Sequence, residues 1–401
     1  MTKVDRREVE AAVLDAVASA EAELVSLCSR LVQVPAPMPP GDTSEIAAFV
    51  SNFLRERGID CATYEPKAGK CSVVATIGPS DIPPALVVNG HLDTFEPAAG
   101  EWSHSSPYSG AVEDGRIYGA GASDMRAGVA AGLLLASVLA PHASSLDRRI
   151  VFAFVGDEEA GGAWGTEWLL DNVDEVGKAR AALIGDQCGT DVIGNAEKGV
   201  CFFSVHAPGT SSHAAYGSEK SAVHKLLEAL RIIRGYDNGG GAEEDIADRV
   251  TVNIGRITGG VARNLVAADA RADVSIRVPT TVSTADLMAR LREQITDAVP
   301  DAWLEIDRQS EPSGTSPDRR IVMSAMRATE AVLGAPSSLI TRVGASDARL
   351  FREHGIPTVV YGPAARNMGA IDEYVDIDQL RAVAHVHTRV ALDILLGEPD
   401  D

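Results

Sequence analysis

Three apolar runs in this 401-residue chain end in a glycine followed by acids, and that repeated ending restricts the fold more than any other feature. Leu86-Val87-Val88 leads through Asn89-Gly90 into His91-Leu92-Asp93. Ile150 to Val155 leads through Gly156 into Asp157-Glu158-Glu159, and Ala181 to Ile184 leads through Gly185 into Asp186. Aliphatic runs without polar alternation read as strands buried on both faces, the kind that parallel sheets use. Open α/β sheets collect their ligands beyond the carboxyl ends of such strands. A further acid, Asp124, closes the stretch Gly119-Ala120-Gly121-Ala122-Ser123 and precedes an Ala/Leu-rich helix expected over Met125 to Leu139. Four such endings in one chain predict carboxylates that converge.

The residue types narrow the chemistry. In extended backbone, residues i and i+2 point the same way, so His91 and Asp93 project together. Imidazole beside carboxylate suits a divalent metal or a general base. Asp157-Glu158-Glu159 is costly at a strand end unless water solvates it or a cation neutralises it. Asp124 is favoured by the dipole of the helix that follows, and Asp124 or Ser123 is equally readable as a simple helix cap.

Composition removes several classes. The formal charge of −21 argues against nucleic acid or an anionic membrane as partner. We expect no membrane span, and Met1-Thr2-Lys3-Val4-Asp5 lacks an apolar signal core, so the cytoplasm is the expected location. Five scattered cysteines without a CxxC pair oppose a disulfide framework or a thiolate zinc site. There is no GxGxxG loop, so a dinucleotide fold is not supported.

In chain order, one helix is expected over 7–33, a second from Thr43 to Arg57, and strands at Cys61–Tyr64 and Ser72–Ile77. The texture changes near Lys198. From there the order β-α-β-β-α-β, interrupted by a glycine-rich acidic link from Tyr236 to Glu244, fits a ferredoxin-like sandwich. After residue 310 the first pattern resumes with helices at 318–333 and 346–354, a strand at Thr358–Tyr361 and a helix at 377–396. The expected fold class is therefore α/β. A mixed, largely parallel sheet domain (1–197 and 311–401) would carry an inserted α+β lid or dimerisation domain (198–310).

With these pieces in place, the chain resembles the co-catalytic metallohydrolases that include aminoacylases, acetylornithine deacetylases, succinyl-diaminopimelate desuccinylases and glutamate carboxypeptidases. The resemblance rests on Gly90-His91-Leu92-Asp93-Thr94, on Gly119 to Gly128, on Asp157-Glu158-Glu159 and on Asp186. It extends to Gly209-Thr210-Ser211-Ser212-His213, Asn264, Ile276-Arg277 and Asp372-Glu373-Tyr374-Val375. It implies His91 and Asp186 as ligands of one metal, Asp124 as the bridging carboxylate and Glu159 as ligand of a second metal. Asp93 would orient His91, Glu158 would be the general base, and His213 would polarise the scissile carbonyl across a dimer. Asn264 and Arg277 would hold a substrate carboxylate. Zinc, manganese or cobalt suits such ligands.

The sequence departs from the family at one position. Four residues before Glu373, where the family has a histidine completing the second metal site, stands Gly369. His354 is expected to be structural. One tightly held metal is therefore expected, with the second site doubtful. The implied activity is hydrolysis of an amide C–N bond in a small carboxylate-bearing substrate, an N-acyl amino acid or a dipeptide. An aminohydrolase acting on an activated aromatic amino acid through one metal-bound hydroxide and a non-catalytic binding descendant are the alternatives. Expected partners are that substrate and a second copy of the chain, joined through the inserted domain.

Overall fold

The computed structural model describes residues 6–104, 106–237 and 246–397. The glycine-rich link expected from Tyr236 to Glu244 lies outside them from residue 238 onward. The chain forms two compact units. One comprises Met1–Asn195, Thr315–Ile340 and Ser346–Asp401; the other comprises Ala196–Gly314 and Thr341–Ala345. The short segment Thr341–Ala345 thus belongs with the inserted unit, although its place in sequence suggested the first domain.

In the first unit, four strands run parallel in the order Thr358–Val360, Ala182–Ile184, Leu86–His91, Ile150–Val155. Lys70–Ile77 and Cys61–Lys67 extend this sheet antiparallel beyond Ile150–Val155. Strand alternation divides the apolar side chains between two cores. Leu86, Val88, Ile150, Phe152, Phe154 and Leu183 enter one; Val87, Val151, Ala153, Val155, Ala182 and Ile184 enter the other. Both faces are therefore dry, which explains the runs without polar alternation.

The helix Ala127–Leu139 lies in the first core, packed on Leu86–His91 and against Glu21–Val32 and Ile377–Leu396. The expected helix start needs correcting. Residues Ala122–Arg126 form a π turn in which Asp124 and Met125 have non-helical backbone angles, and the helix begins at Ala127. Gly128 is required here, since a Cβ on it would meet the Gly185 carbonyl oxygen at 2.1 Å. That close approach seats the helix against the strand end carrying Asp186. By length and composition alone Ala122–Ser145 is apolar enough to cross a membrane, but its central helix is core. The single helix expected over 7–33 is two, Arg6–Ser19 and Glu21–Val32, parted at Ala20.

The second unit has the expected order: strand Gly199–Pro208, helix Ala222–Arg234, strands Thr251–Gly259 and Asp269–Val278, helix Thr284–Ala298 and strand Trp303–Ser310. Its antiparallel sheet places Asp269–Val278 and Gly199–Pro208 centrally, between the edge strands Thr251–Gly259 and Trp303–Ser310. This is the ferredoxin-like arrangement, with both helices on one face over Cys201, Phe203, Val205 and Ile276. None of the five cysteines forms a disulfide.

Candidate metal centre

Alternation along Leu86–His91 turns Val87, Asn89 and His91 to the same face, and Asp186 continues the matching face two residues beyond Ile184. His91 is buried, and its Nε2 lies 3.0 Å from Asp124 Oδ1. Its Nδ1 lies 2.9 Å from the backbone carbonyl of Asp93, against 3.8 Å to the Asp93 carboxylate. The carbonyl, rather than the carboxylate the sequence pointed to, is thus the closer orienting partner of the ring. The Asp93 carboxylate instead accepts the backbone N–H groups of Glu158 (3.2 Å) and Glu159 (3.0 Å). It fixes the turn that carries both glutamates.

The three consecutive acids have separate fates. Asp157, at a φ of +80°, turns away to form a buried ion pair with Lys70 at 3.0 Å. Lys70 also donates to the carbonyls of Pro40 (2.9 Å) and Gly41 (3.1 Å). Glu158 and Glu159 are left half-buried beside His91. Ligand atoms of His91, Asp124 and Glu159 all lie within 4.8 Å of one another. Asp186 is buried but is not part of that cluster.

Asp124 is not a cap. The helix after it has no side-chain cap, and Ser123 Oγ donates 3.0 Å to Glu373. Glu373 itself is buried and accepts four hydrogen bonds, from the N–H groups of Gly121, Ser123 and Asp124 and from Ser123 Oγ. Burial pushes its pKa up to about 7 against those donors. Glu373 is the residue that sequence reasoning used only as a landmark. Its role shows once Asp372-Glu373 is seen beside the Gly119–Asp124 loop, a pairing distant in sequence.

The electrostatics of the cluster are unbalanced. Burial alone would lower the His91 pKa, yet the Asp124 hydrogen bond and the charges of Asp124, Glu158 and Glu159 push it well above 6.5. Burial raises Glu158 well above 4.5, and Asp347, Asp186 and Asp93 add to the rise while His91 opposes it. Burial likewise pushes Glu159 up to about 10. Glu159 Oε1 is shielded from solvent and has no hydrogen-bond partner. A carboxylate oxygen buried without a donor, among further acids and one imidazole, is what a divalent cation completes.

Gly369 has a φ of +68° and no side chain to offer; a Cβ there would touch only the Phe95 ring, at 3.8 Å. His354 is structural, held between the Leu350 carbonyl at 2.8 Å and Asp171 at 3.1 Å. Arg342 is committed to a buried ion pair with Glu197 at 2.7 Å. A residue the sequence did not single out, Asp347, is buried close enough to raise the Glu158 pKa. It accepts the Thr166 hydroxyl at 2.6 Å, while that hydroxyl accepts from Asn89 at 3.2 Å.

In the second unit, His213 and Asn264 come together. Ala214 N–H donates to the Asn264 carbonyl at 3.0 Å, and His213 bridges Leu265 across the same loop pair. Both side chains are exposed. Arg277 is half-buried with its guanidinium 5.2 Å from the Phe202 ring, and it makes no ion pair among the described residues.

Comparison with known proteins agrees with this geometry. The sequence model of Peptidase family M20/M25/M40 matches residues 87–393. A succinyl-diaminopimelate desuccinylase of Cereibacter sphaeroides is 29% identical over 381 residues, covering 92% of this chain and 98% of its own. One from Acidiphilium cryptum is 31% identical over 310 residues, covering 75% and 81%. Among solved structures, a tripeptidase from Staphylococcus aureus superposes with a TM-score of 0.75 at 22% identity, covering 94% of this chain and 99% of its own. An M20 family metallo-carboxypeptidase from Sulfolobus solfataricus gives 0.77 at 18%, covering 93% and 99%.

Proposed function

The chain belongs to peptidase family M20/M25/M40 and is a metal-dependent hydrolase, and from that premise we propose that it cleaves the amide C–N bond of a small carboxylate-bearing N-acyl amino acid or dipeptide. The observation that carries this reading is the buried, donorless Glu159 Oε1 beside His91 and Asp124, with Glu158 next to it in the chain. Zinc, manganese or cobalt held by His91, Asp124 and Glu159, with Asp186 nearby, would polarise the scissile carbonyl and bring the pKa of the attacking water toward neutrality.

The protein's own groups do the rest. Glu158 takes the proton of the attacking water and passes it to the departing nitrogen; its raised pKa suits a group that must both accept and release a proton. Asp93 keeps Glu158 in place through the backbone of the turn. Arg277, half-buried without an acid partner, offers two parallel hydrogen bonds to a substrate carboxylate, and Asn264 adds a third contact. His213, supplied by a second copy of the chain, stabilises charge on the carbonyl oxygen. The relatives named for succinyl-diaminopimelate, an N-acyl amino acid rich in carboxylates, support this substrate class.

We infer one tight metal per chain, since His91, Asp124 and Glu159 form the one three-ligand cluster among the described residues and Gly369 brings no further ligand. Metal analysis after dialysis is expected to give about one ion per chain; two would refute this. The function is tested by incubating the metal-reconstituted protein with acyl-amino acids, dipeptides and aromatic amines. Release of amino acid is expected. Release of ammonia from aromatic amines alone would replace the amidase reading with an aminohydrolase, and no turnover of any would favour the binding descendant.

A further inference from the structure

At the opposite edge of the parallel strands, the amino ends, the first unit has a cavity of about 350 Å³. Ala85, Ala181 and Pro357, each directly before a strand, form part of its wall. Four arginines line it, Arg148, Arg180, Arg319 and Arg320, with Asp318 as the one acid among the lining residues. In a chain with 57 acidic and 36 basic residues, four guanidinium groups around one small cavity are an inversion of the local charge.

Two of the four are fixed by carbonyls. Arg148 donates to the carbonyls of Ile394 and, at 2.9 Å, Gly397; Arg320 donates to that of Asp393 at 2.6 Å. These bonds, to carbonyls at the end of the helix Ile377–Leu396, hold the two heads in place. Arg180 and Arg319 are exposed and have no acid partner among the described residues. Arg319 and Arg320 also open the 14-residue helix Arg320–Leu333, the end where the dipole disfavours cations and favours anions. Mutual repulsion and an adverse dipole are both relieved by one bound anion.

We propose that this cavity is a binding site for a small multivalent oxyanion, phosphate or polycarboxylate, held by Arg180 and Arg319 with Arg148 and Arg320 fixed around it. The planar guanidinium fork matches both oxyanion types. Its position at the amino edge sets it apart from the acidic cluster at the carboxyl edge, so the ligand is an effector or stabiliser and not the substrate.

The test is isothermal titration of the full metal-loaded chain with inorganic phosphate and, separately, malonate, at constant ionic strength. Saturable binding near one per chain is expected, and Arg180→Ser/Arg319→Ser should weaken it at least tenfold. Binding of either anion, lost in that variant, supports the proposal and tells phosphate from dicarboxylate. No saturable binding, or undiminished binding by the double variant, overturns it.

Discussion

The two ends of the same parallel strands carry opposite charge. Where Leu86–His91, Ile150–Val155 and Ala182–Ile184 finish, the chain gathers Asp93, Glu158, Glu159 and Asp186 around one histidine. Where these strands begin, it gathers Arg148, Arg180, Arg319 and Arg320. Between them lies a core that is apolar on both faces of the sheet. A strand of six residues spans roughly 20 Å, so the two edges lie well apart. Carboxylates buried together need a cation; arginines gathered around a cavity need an anion. The same sheet thus presents two ligand requirements of opposite sign.

The largest effect should come from the acidic edge. Glu158→Gln removes the proton carrier and leaves His91, Asp124 and Glu159 untouched, so kcat should fall about 10²–10⁴-fold while metal content and unfolding temperature hold. Steady-state kinetics alongside metal analysis measures this. Turnover within tenfold of the parent would remove Glu158 from its role.

The core between the edges makes a prediction of its own. His387 is fully buried, and burial pushes its pKa down to about 4 although its Nε2 lies 2.8 Å from the Tyr361 carbonyl. The ring is therefore neutral when folded and protonates near 6.5 when unfolded. Its contribution is complete above pH 6.5 and is lost as pH falls toward 4, amounting to about 3 kcal/mol from a shift of that size. His387→Gln keeps a donor for Tyr361 but cannot titrate. In denaturant unfolding at pH 7.5 and 4.5, it should lose less stability on acidification than the parent; an equal loss would contradict the linkage.

A smaller effect is expected from Glu373→Gln. Four donors converge on the Glu373 carboxylate, and an amide would turn its own NH₂ toward one of them. The loop that aims Asp124 should loosen, lowering metal affinity about 10–100-fold with the fold retained. Competition with a chelator reads this directly, and unchanged affinity would show that the loop holds itself.

The sequence made the strand ends legible because a doubly buried strand must be continuously apolar and its end is marked by glycine and acid. The ferredoxin-like unit was legible from the order of strands and helices after Lys198, and its strand Asp269–Val278 alternates buried with more exposed residues. What stayed hidden were pairings between distant segments. Nothing near Lys70 in sequence reveals Asp157, and nothing near Asn89 reveals Thr166 and Asp347. The helix start was missed because Asp124 sits in a turn that holds its carboxylate on His91, overriding the local preference for helix. The arginine cavity escaped for the same reason. Its members come from three separate places in the chain and meet only when the strands are laid side by side.

The smallest effect is the one that sharpens the contrast most. If the two edges are electrically separate, Arg180→Ser/Arg319→Ser should leave kcat and KM within about twofold in phosphate-free buffer. Removing two like charges that face one cavity should also leave the anion-free protein no less stable, since exposed repulsion of this kind contributes only tenths of a kcal/mol. Thermal unfolding would then separate parent from variant only when phosphate is present, with the parent rising alone. A large fall in kcat without added anion would show that charge at the amino edge reaches the carboxylates through the sheet, and the two sites would have to be treated as one.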